Sequence, residues 1–517
     1  MRIFTTGRWQ PGFLDQARAA DEVRIAPLMM RSVARIDDFA FVRHRDVRLL
    51  WNYWREVGLR GVVRRVRSRL AEEGRNEKWL SCGIGRVIEA AVGSMAVGEL
   101  VRFITTAAPS CAERLCVPAQ LVEPADGRDI SALPDMTILK IDEPVTPVPA
   151  GLRTILGWTS HSGEPLSGSG AKAALAAARR ILAETDWAQA TLLPVDEAPV
   201  ATATADARAA DRAILLGYGN YAKTVIIPNL GSGLGFTRVH EIDPTQIGAR
   251  PPAGHEWSTE PALYPDDRPQ AVFIAGYHHS HAALAIDALG RGAAAVVEKP
   301  LVTTREQLTE LLAAVASNPR YFACFHKRFA QTTAWATTDL DRRAGEPIDY
   351  HCLVYEVPLP ARHWYRWPNS RSRLVSNGCH WLDHFLYLNG FAPVRRSSLW
   401  RGARGTLNAM VELDNDAAFT MALTDEGSSR TGVRDQIELR AGQRTVRITD
   451  SSHYSAESDS RILRRARVDR GDSYARMYRS ISERVVAHGD GDSLVSIDRS
   501  AGLVLDLEDQ LIALGDR

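Results

Sequence analysis

AVFIAGYHHSHAALAIDALGRGAAAVVEKPLV, residues 271–302, reads as strand, helix and strand, and the rest of the chain can be placed around it. An apolar run from Ala271 to Ala275 enters a histidine-rich turn. Ala282, Leu284, Ala285, Ala288 and Leu289 then recur at helical spacing before Ala293–Val297 resumes a buried strand. This is one βαβ unit, the building block of an α/β fold with a parallel sheet. In open parallel sheets ligands collect beyond the carboxyl ends of the strands, where Tyr277-His278-His279 and Glu298-Lys299-Pro300 both fall. The basic residues are overwhelmingly arginine, the only lysines being Lys78, Lys140, Lys172, Lys223, Lys299 and Lys327. A compact ammonium at such a strand end suits hydrogen bonding to a hydroxyl or carbonyl, although a surface lysine before a turn proline would leave the same trace.

Upstream, Ala213–Leu216 is an apolar strand running into Gly217-Tyr218-Gly219-Asn220-Tyr221-Ala222 and then a helix. In this G-x-G-x-x-A pattern Gly217 permits a tight turn, Gly219 lets backbone approach a pyrophosphate, and Ala222 allows close packing of helix on strand. Asn220 and Tyr221 complete the candidate cofactor loop. A second strand, Phe236–His240, ends at Glu241. That residue is placed either to accept from ribose hydroxyls, which favours NAD over NADP, or as an ordinary strand-end acid.

At 517 residues the chain is expected to hold two or three domains. Hydrophobic content of 45%, charged content of 24% and a net charge of +1 describe a soluble globular chain with no global attraction to nucleic acid or acidic membranes. No signal peptide and no run long enough to span a bilayer is read, and the six scattered cysteines favour reduced thiols, so a cytoplasmic location is expected. Residues 43–75 form an arginine-bearing amphipathic pattern, either a solvated helix face or a surface for phosphate or lipid head groups.

Between Trp79 and Pro118 the texture turns to short strands with glycine turns. Gly83-Gly85-Val87, Gly98-Glu99-Leu100-Val101, and Ala112-Glu113 with Val117-Pro118 resemble the GroES-like domain of medium-chain dehydrogenases over roughly residues 30–135. The Gly-His-Glu ligand pair of that family's catalytic zinc is missing, so no metal is expected and Cys82 reads as a core residue. A strand is expected at 137–141, another near 152–158, an alanine-rich helix at 171–183 and a linker at 200–211.

The order Gly217–Ala222, Tyr277–His281 and Glu298-Lys299-Pro300 resembles the Gfo/Idh/MocA oxidoreductases from about residue 210 onward. Phe325-His326-Lys327-Arg328-Phe329 and Asn377-Gly378-Cys379-His380-Trp381-Leu382-Asp383 are similar to two further segments of that family. The resemblance implies a Rossmann dinucleotide-binding domain, then an α+β C-terminal domain with an open sheet, preceded here by the mainly β GroES-like domain. The domains are expected at 1–205, 206–330 and 331–517. Strands are expected near 350–356, 406–413, 418–423, 436–441 and 445–448, with a last helix at 502–514.

The resemblance further implies an NAD(P)-dependent dehydrogenase or reductase for a sugar-like small molecule, in which Lys299 and His380 flank the substrate. Asp383 joins them as a catalytic or supporting acid. Glu241, Tyr277, His278, His281, Glu298, Lys299 and Arg328 line the cofactor with the glycine-rich loop, and Trp364, Asn377 and His384 face the substrate. Ser376 stands where the family frequently carries an aspartate, four residues before the histidine, so Asn377 or Asp383 is left to orient His380. That departure supports an alternative, a non-catalytic dinucleotide-binding sensor or scaffold subunit. Homo-oligomerisation is expected, and neither nucleic acid nor membrane insertion.

Overall fold

The computed structural model describes residues 2–5, 8–13, 21–35, 54, 79–90, 95–105, 112–125, 139–140, 168–185, 191–192, 213–231, 233–247, 254–343, 345–359, 363–427 and 432–515. The expected helix over 43–75, the strand near 152–158 and the linker at 200–211 lie outside these residues, apart from Trp54.

Six parallel strands form the dinucleotide-type sheet in the order Glu256–Ser258, Phe236–His240, Ala213–Leu216, Ala271–Ile274, Ala294–Val297, Tyr321–Ala323. The strand order reverses at the first strand, Ala213–Leu216, which opens a crevice beyond its carboxyl end, as in doubly wound sheets. Three of these strands are apolar at every position because helices cover both faces. On one face the core continues through the helices His281–Gly290 and Arg305–Ser317 into the C-terminal domain. On the other it is closed by the helix Asp472–Val486, through Met477, Tyr478, Ile481 and Val485.

The second sheet has eight strands in the order Val394–Arg401, Leu407–Leu413, Ala418–Thr424, Asp349–Tyr355, Arg434–Ala441, Arg444–Thr449, His453–Ser458, Arg461–Arg467. It is mixed, with one parallel pairing between Asp349–Tyr355 and Ala418–Thr424. Its strands alternate buried and open residues, which is the signature of a sheet packed on one face only. The helices Cys379–Leu388 and Leu494–Ala513 cover the packed face. The last helix thus begins at Leu494, where Ser493 caps it, a turn and more before the expected start at 502.

The N-terminal part contains a five-stranded antiparallel sheet in the order Leu115–Pro118, Glu22–Arg35, Trp79–Glu89, Leu100–Thr105, Val122–Pro124, backed by the helix Gly168–Ala183. Cys82 is fully buried there, and burial pushes its thiol up to about 12. Among the described residues no helix is long and apolar enough to cross a membrane.

Candidate active site

The glycine-rich turn follows from local sterics. Gly217 has φ +99°, and a Cβ on it would lie 2.7 Å from the backbone of Ala275 and Gly276, so the first strand and the neighbouring strand's exit close only around glycine. A Cβ on Gly219 would meet nothing within 4 Å, leaving the open cradle that a pyrophosphate needs. The helix after it is not regular: Ala222–Ile226 is a π-turn, with the Ile227 N–H reaching the Ala222 carbonyl. Pro228 follows, and its missing N–H removes one rung of the α-helical ladder there. Glycine spacing and open cradle together fit a dinucleotide, with backbone of Gly217–Ala222 as its holder.

Glu241 departs from its expected role. Its carboxylate is buried, accepting from the Tyr218 N–H at 2.7 Å and the Asp243 N–H at 2.9 Å, so it braces the glycine-rich turn from inside. Burial, reinforced by Asp243, pushes it up to about 7. Glu298 is likewise buried and accepts from the Tyr478 hydroxyl, which ties the helix Asp472–Val486 to the end of the strand Ala294–Val297.

Lys299 follows, and its Nζ donates to the Ser376 carbonyl at 2.8 Å. That carbonyl lies in a second π-turn, Leu374–Gly378, directly before the helix that carries His380. Burial alone would lower the lysine's pKa, but its neighbours, with Glu298 the acid among them, outweigh it and raise it, so Lys299 stays charged. His380 is held neutral by burial, with His326, Lys299 and Lys327 adding repulsion against a second positive charge. The structure therefore brings Lys299 and His380 together.

Neither expected partner orients the imidazole. Asn377 donates to Glu356 at 2.6 Å, and Asp383 is held by Arg328, so the buried Nδ1 of His380 has no hydrogen-bond partner among the described residues. The ring is held instead edge-to-face by His326, centroids 4.8 Å apart. His326 is anchored through Nδ1 to Ser473 Oγ at 3.0 Å and stacks on Tyr474 at 4.1 Å. Sequence alone does not single out His326, Ser473 or Tyr474. The first sits in the quoted Phe325–Phe329 segment, and the other two belong to a helix whose apolar spacing could have been read.

Four candidates are taken up by internal hydrogen bonds. Arg328 and Asp383 form a buried fork, Nε to Oδ2 at 2.9 Å, with Asp492 on the third guanidinium nitrogen at 2.6 Å and Ser500 on the carboxylate at 2.7 Å. Every arm of the pair is taken up internally, so the expected cofactor contact of Arg328 and catalytic role of Asp383 give way to a structural one. His384 is buried between Thr333 Oγ1 at 2.9 Å and the Tyr350 hydroxyl at 3.1 Å, inside the core rather than toward substrate. His281 is similarly structural, its Nδ1 on the Pro300 carbonyl at 2.8 Å and its Nε2 by the Gly276 carbonyl at 3.1 Å.

Tyr277 and His278 meet an aromatic wall instead of standing free. Trp364 lies 5.0 Å from Tyr277 and 4.6 Å from His278, and Tyr365 is 4.6 Å from His278 while facing Lys299 Nζ at 5.6 Å. Among the described residues no group of histidine, cysteine and acidic side chains is arranged to hold a metal ion.

A doubly wound sheet with a glycine cradle at its switch point is the arrangement of a dinucleotide-binding domain. Residues 212–326 match GFO_IDH_MocA, the oxidoreductase family with an NAD-binding Rossmann fold. The matched segment spans the six-stranded parallel sheet and supports an NAD(P)-dependent dehydrogenase or reductase. The chain is 26% identical over 258 residues to inositol 2-dehydrogenase 2 of Paenarthrobacter aurescens, covering 45% of this chain and 74% of the relative. Its fold is similar to that of a dehydrogenase from Chromobacterium violaceum, with TM-score 0.50 and 15% identity over 59% of this chain and 96% of the other. A 3-ketoreductase from Actinomadura kijaniata, solved with NADP and TDP-benzene, gives TM-score 0.48 at 16% identity over 58% and 97%.

Proposed function

We propose that the chain transfers a hydride between the nicotinamide and a hydroxyl, carbonyl or imine carbon of a sugar-like small molecule, with Lys299 and His380 handling the substrate and its proton. The observation that carries this is the Lys299 ammonium, fixed on the Ser376 carbonyl at the ligand end of the parallel sheet, one turn before His380. The relative's name, inositol 2-dehydrogenase, makes a polyol ring the first class to test. When bound, the nicotinamide supplies or accepts the hydride. Lys299, charged, donates a hydrogen bond to the reacting oxygen, and His380, neutral, accepts the hydroxyl proton as the carbinol is oxidised. Glu241 and Asp243 spend their carboxylates on the loop itself, so the choice between NAD and NADP is left to measurement with both cofactors.

The same reading divides the chain into a GroES-like domain at 1–205, a Rossmann domain at 206–330 and a substrate and oligomerisation domain at 331–517. The antiparallel N-terminal sheet supports the first. The sensor or scaffold reading, raised by Ser376, is favoured by one structural observation: Nδ1 of His380 has no hydrogen-bond partner among the described residues.

Single-turnover oxidation of bound NADH against keto sugars, inosose and imines, with myo-inositol and NAD for the reverse direction, separates the two. Turnover by the wild type that is lost in Lys299→Ala and His380→Ala, with NADH still bound, is the expected result. NADH binding with no turnover on any panel member favours the sensor.

A further inference from the structure

The N-terminal hairpin, Arg2–Thr5 paired with Arg8–Pro11, belongs to one domain and touches another. On one side Ile3 is fully buried in the N-terminal core and bridges to Ala112. On the other, the N–H of Phe13 donates to the carbonyl of Ile242 at 3.0 Å, and the strand Arg2–Thr5 packs on the turn Pro244–Gln246. Gly12 stands at the crossing, where a Cβ would lie 2.4 Å from Ile3 Cδ1 and 3.4 Å from the Ile242 carbonyl oxygen.

The segment gripped in this way is the one that follows the second strand of the dinucleotide sheet. Within it Asp243 caps the turn, accepting from the Thr245 N–H at 3.0 Å. Two contacts then reach the glycine-rich turn: Glu241 accepts from the Tyr218 N–H at 2.7 Å, and Lys223 Nζ donates to the Gln246 carbonyl at 2.7 Å. Tyr218 and Lys223 lie on either side of the open cradle at Gly219. A continuous chain of contacts therefore runs from the hairpin, through 242–247, to both flanks of the phosphate loop.

We propose that the hairpin is a positioning element of the dinucleotide site, holding the 241–247 segment through Phe13 and Ile242 so that the adenosine half of the cofactor meets a preset loop. This gives the N-terminal part of the chain a role in the redox half without any contact to substrate. The proposal rests on dinucleotide binding at Gly217–Ala222.

Phe13 is 43% exposed, so its side chain can be changed with little effect on packing. The full-length variants Phe13→Ala, which keeps the N–H, and Phe13→Pro, which removes it, are titrated with NADH by fluorescence and with ADP-ribose by calorimetry. Phe13→Ala is expected to bind as the wild type does. Phe13→Pro is expected to weaken NADH and ADP-ribose by the same factor, roughly three- to tenfold for one backbone hydrogen bond. Hydrogen exchange gives a readout free of any variant: on adding ADP-ribose to the wild type, the Phe13 amide and the amides of 241–247 should gain protection together. Wild-type affinity in Phe13→Pro, or equal losses in both variants, overturns the proposal. So does protection of 241–247 without Phe13. If the wild type binds neither ligand, dinucleotide binding itself fails, an outcome distinct from any defect in the variants.

Discussion

Arg328→Met distinguishes a structural arginine from a cofactor-binding one. The guanidinium is buried and spends all its arms on Asp383 and Asp492, while Asp383 is fully buried with Ser500 as its remaining partner. Removing the cation leaves an uncompensated carboxylate in the interior, a loss of about 3–5 kcal/mol. Against a total stability of roughly 5–15 kcal/mol that is severe. At about 2–4 °C per kcal/mol for a domain of this size, the melting midpoint should fall by about 6–20 °C. The double variant Arg328→Met/Asp383→Leu, which removes the stranded charge as well, should recover part of the loss. Melting is followed by circular dichroism, and NADH is titrated well below each transition. The folded single variant should bind NADH as the wild type does. A variant that melts like the wild type but binds NADH poorly would refute the argument and return Arg328 to the cofactor.

Gly217→Ala should cost about 1–3 kcal/mol of backbone strain and lose NADH binding, because its φ of +99° and the 2.7 Å approach to Ala275 leave no room for a methyl. Gly219→Ala, with open space around it, should melt normally and lose affinity only; equal melting losses in both would contradict the cradle. Lys299→Met should lower turnover by about 10²–10³-fold with NADH affinity kept, measured on whichever panel member reacts. His326→Gln should reduce kcat more than it raises KM, since the ring holds His380 and not the cofactor. Stability should fall as pH drops below about 6.5. Burial holds His278 near about 2, His384 near about 3 and His240 near about 4, so the unfolded chain takes up protons that the folded chain refuses. Each such histidine contributes a slope of about 1.4 kcal/mol per pH unit. His384→Gln, whose amide can serve both Thr333 and Tyr350, should flatten the pH dependence by one such increment; an unchanged slope would show that His384 protonates in the folded state.

Strands buried on both faces were legible because AVFI and AAVV have no alternation to confuse, and the glycine spacing marked the turn between the first of them and its helix. In the C-terminal sheet, Leu407–Leu413 and Ala418–Thr424 alternate cleanly and were also legible. Arg461–Arg467 was not, since an edge strand of four arginines half open to solvent carries almost no apolar pattern. The helix Asp472–Val486 is hard to read although Met477, Tyr478, Ile481 and Val485 repeat at helical spacing, because polar and charged residues fill the positions between them. Its contribution to the site was beyond sequence reading altogether: the bond from Tyr478 to Glu298 spans 180 positions. The spacing of His380 and Asp383 suggested one helix face and therefore one function. The buried arginine that claims Asp383 arrives from residue 328, and no local pattern reports it.

Two lysines approach the histidine pair, and their partners decide what each can do. Lys327 is neutralised by Asp435 at 2.5 Å, an acid that also accepts from the Trp381 indole at 3.0 Å, so its charge is spent inside the protein. Lys299 makes no ion pair among the described residues, and its one hydrogen bond goes to a carbonyl that the π-turn at Leu374–Gly378 presents to it. A π-turn loosens the regular helical ladder and leaves carbonyls available to such a donor. That acceptor is main chain, so it is there for Lys299 whatever side chain stands at 376. A carbonyl aims the ammonium without neutralising it and leaves its charge available to a substrate oxygen. What the serine side chain does not offer is a carboxylate for His380, whose ring is held by His326.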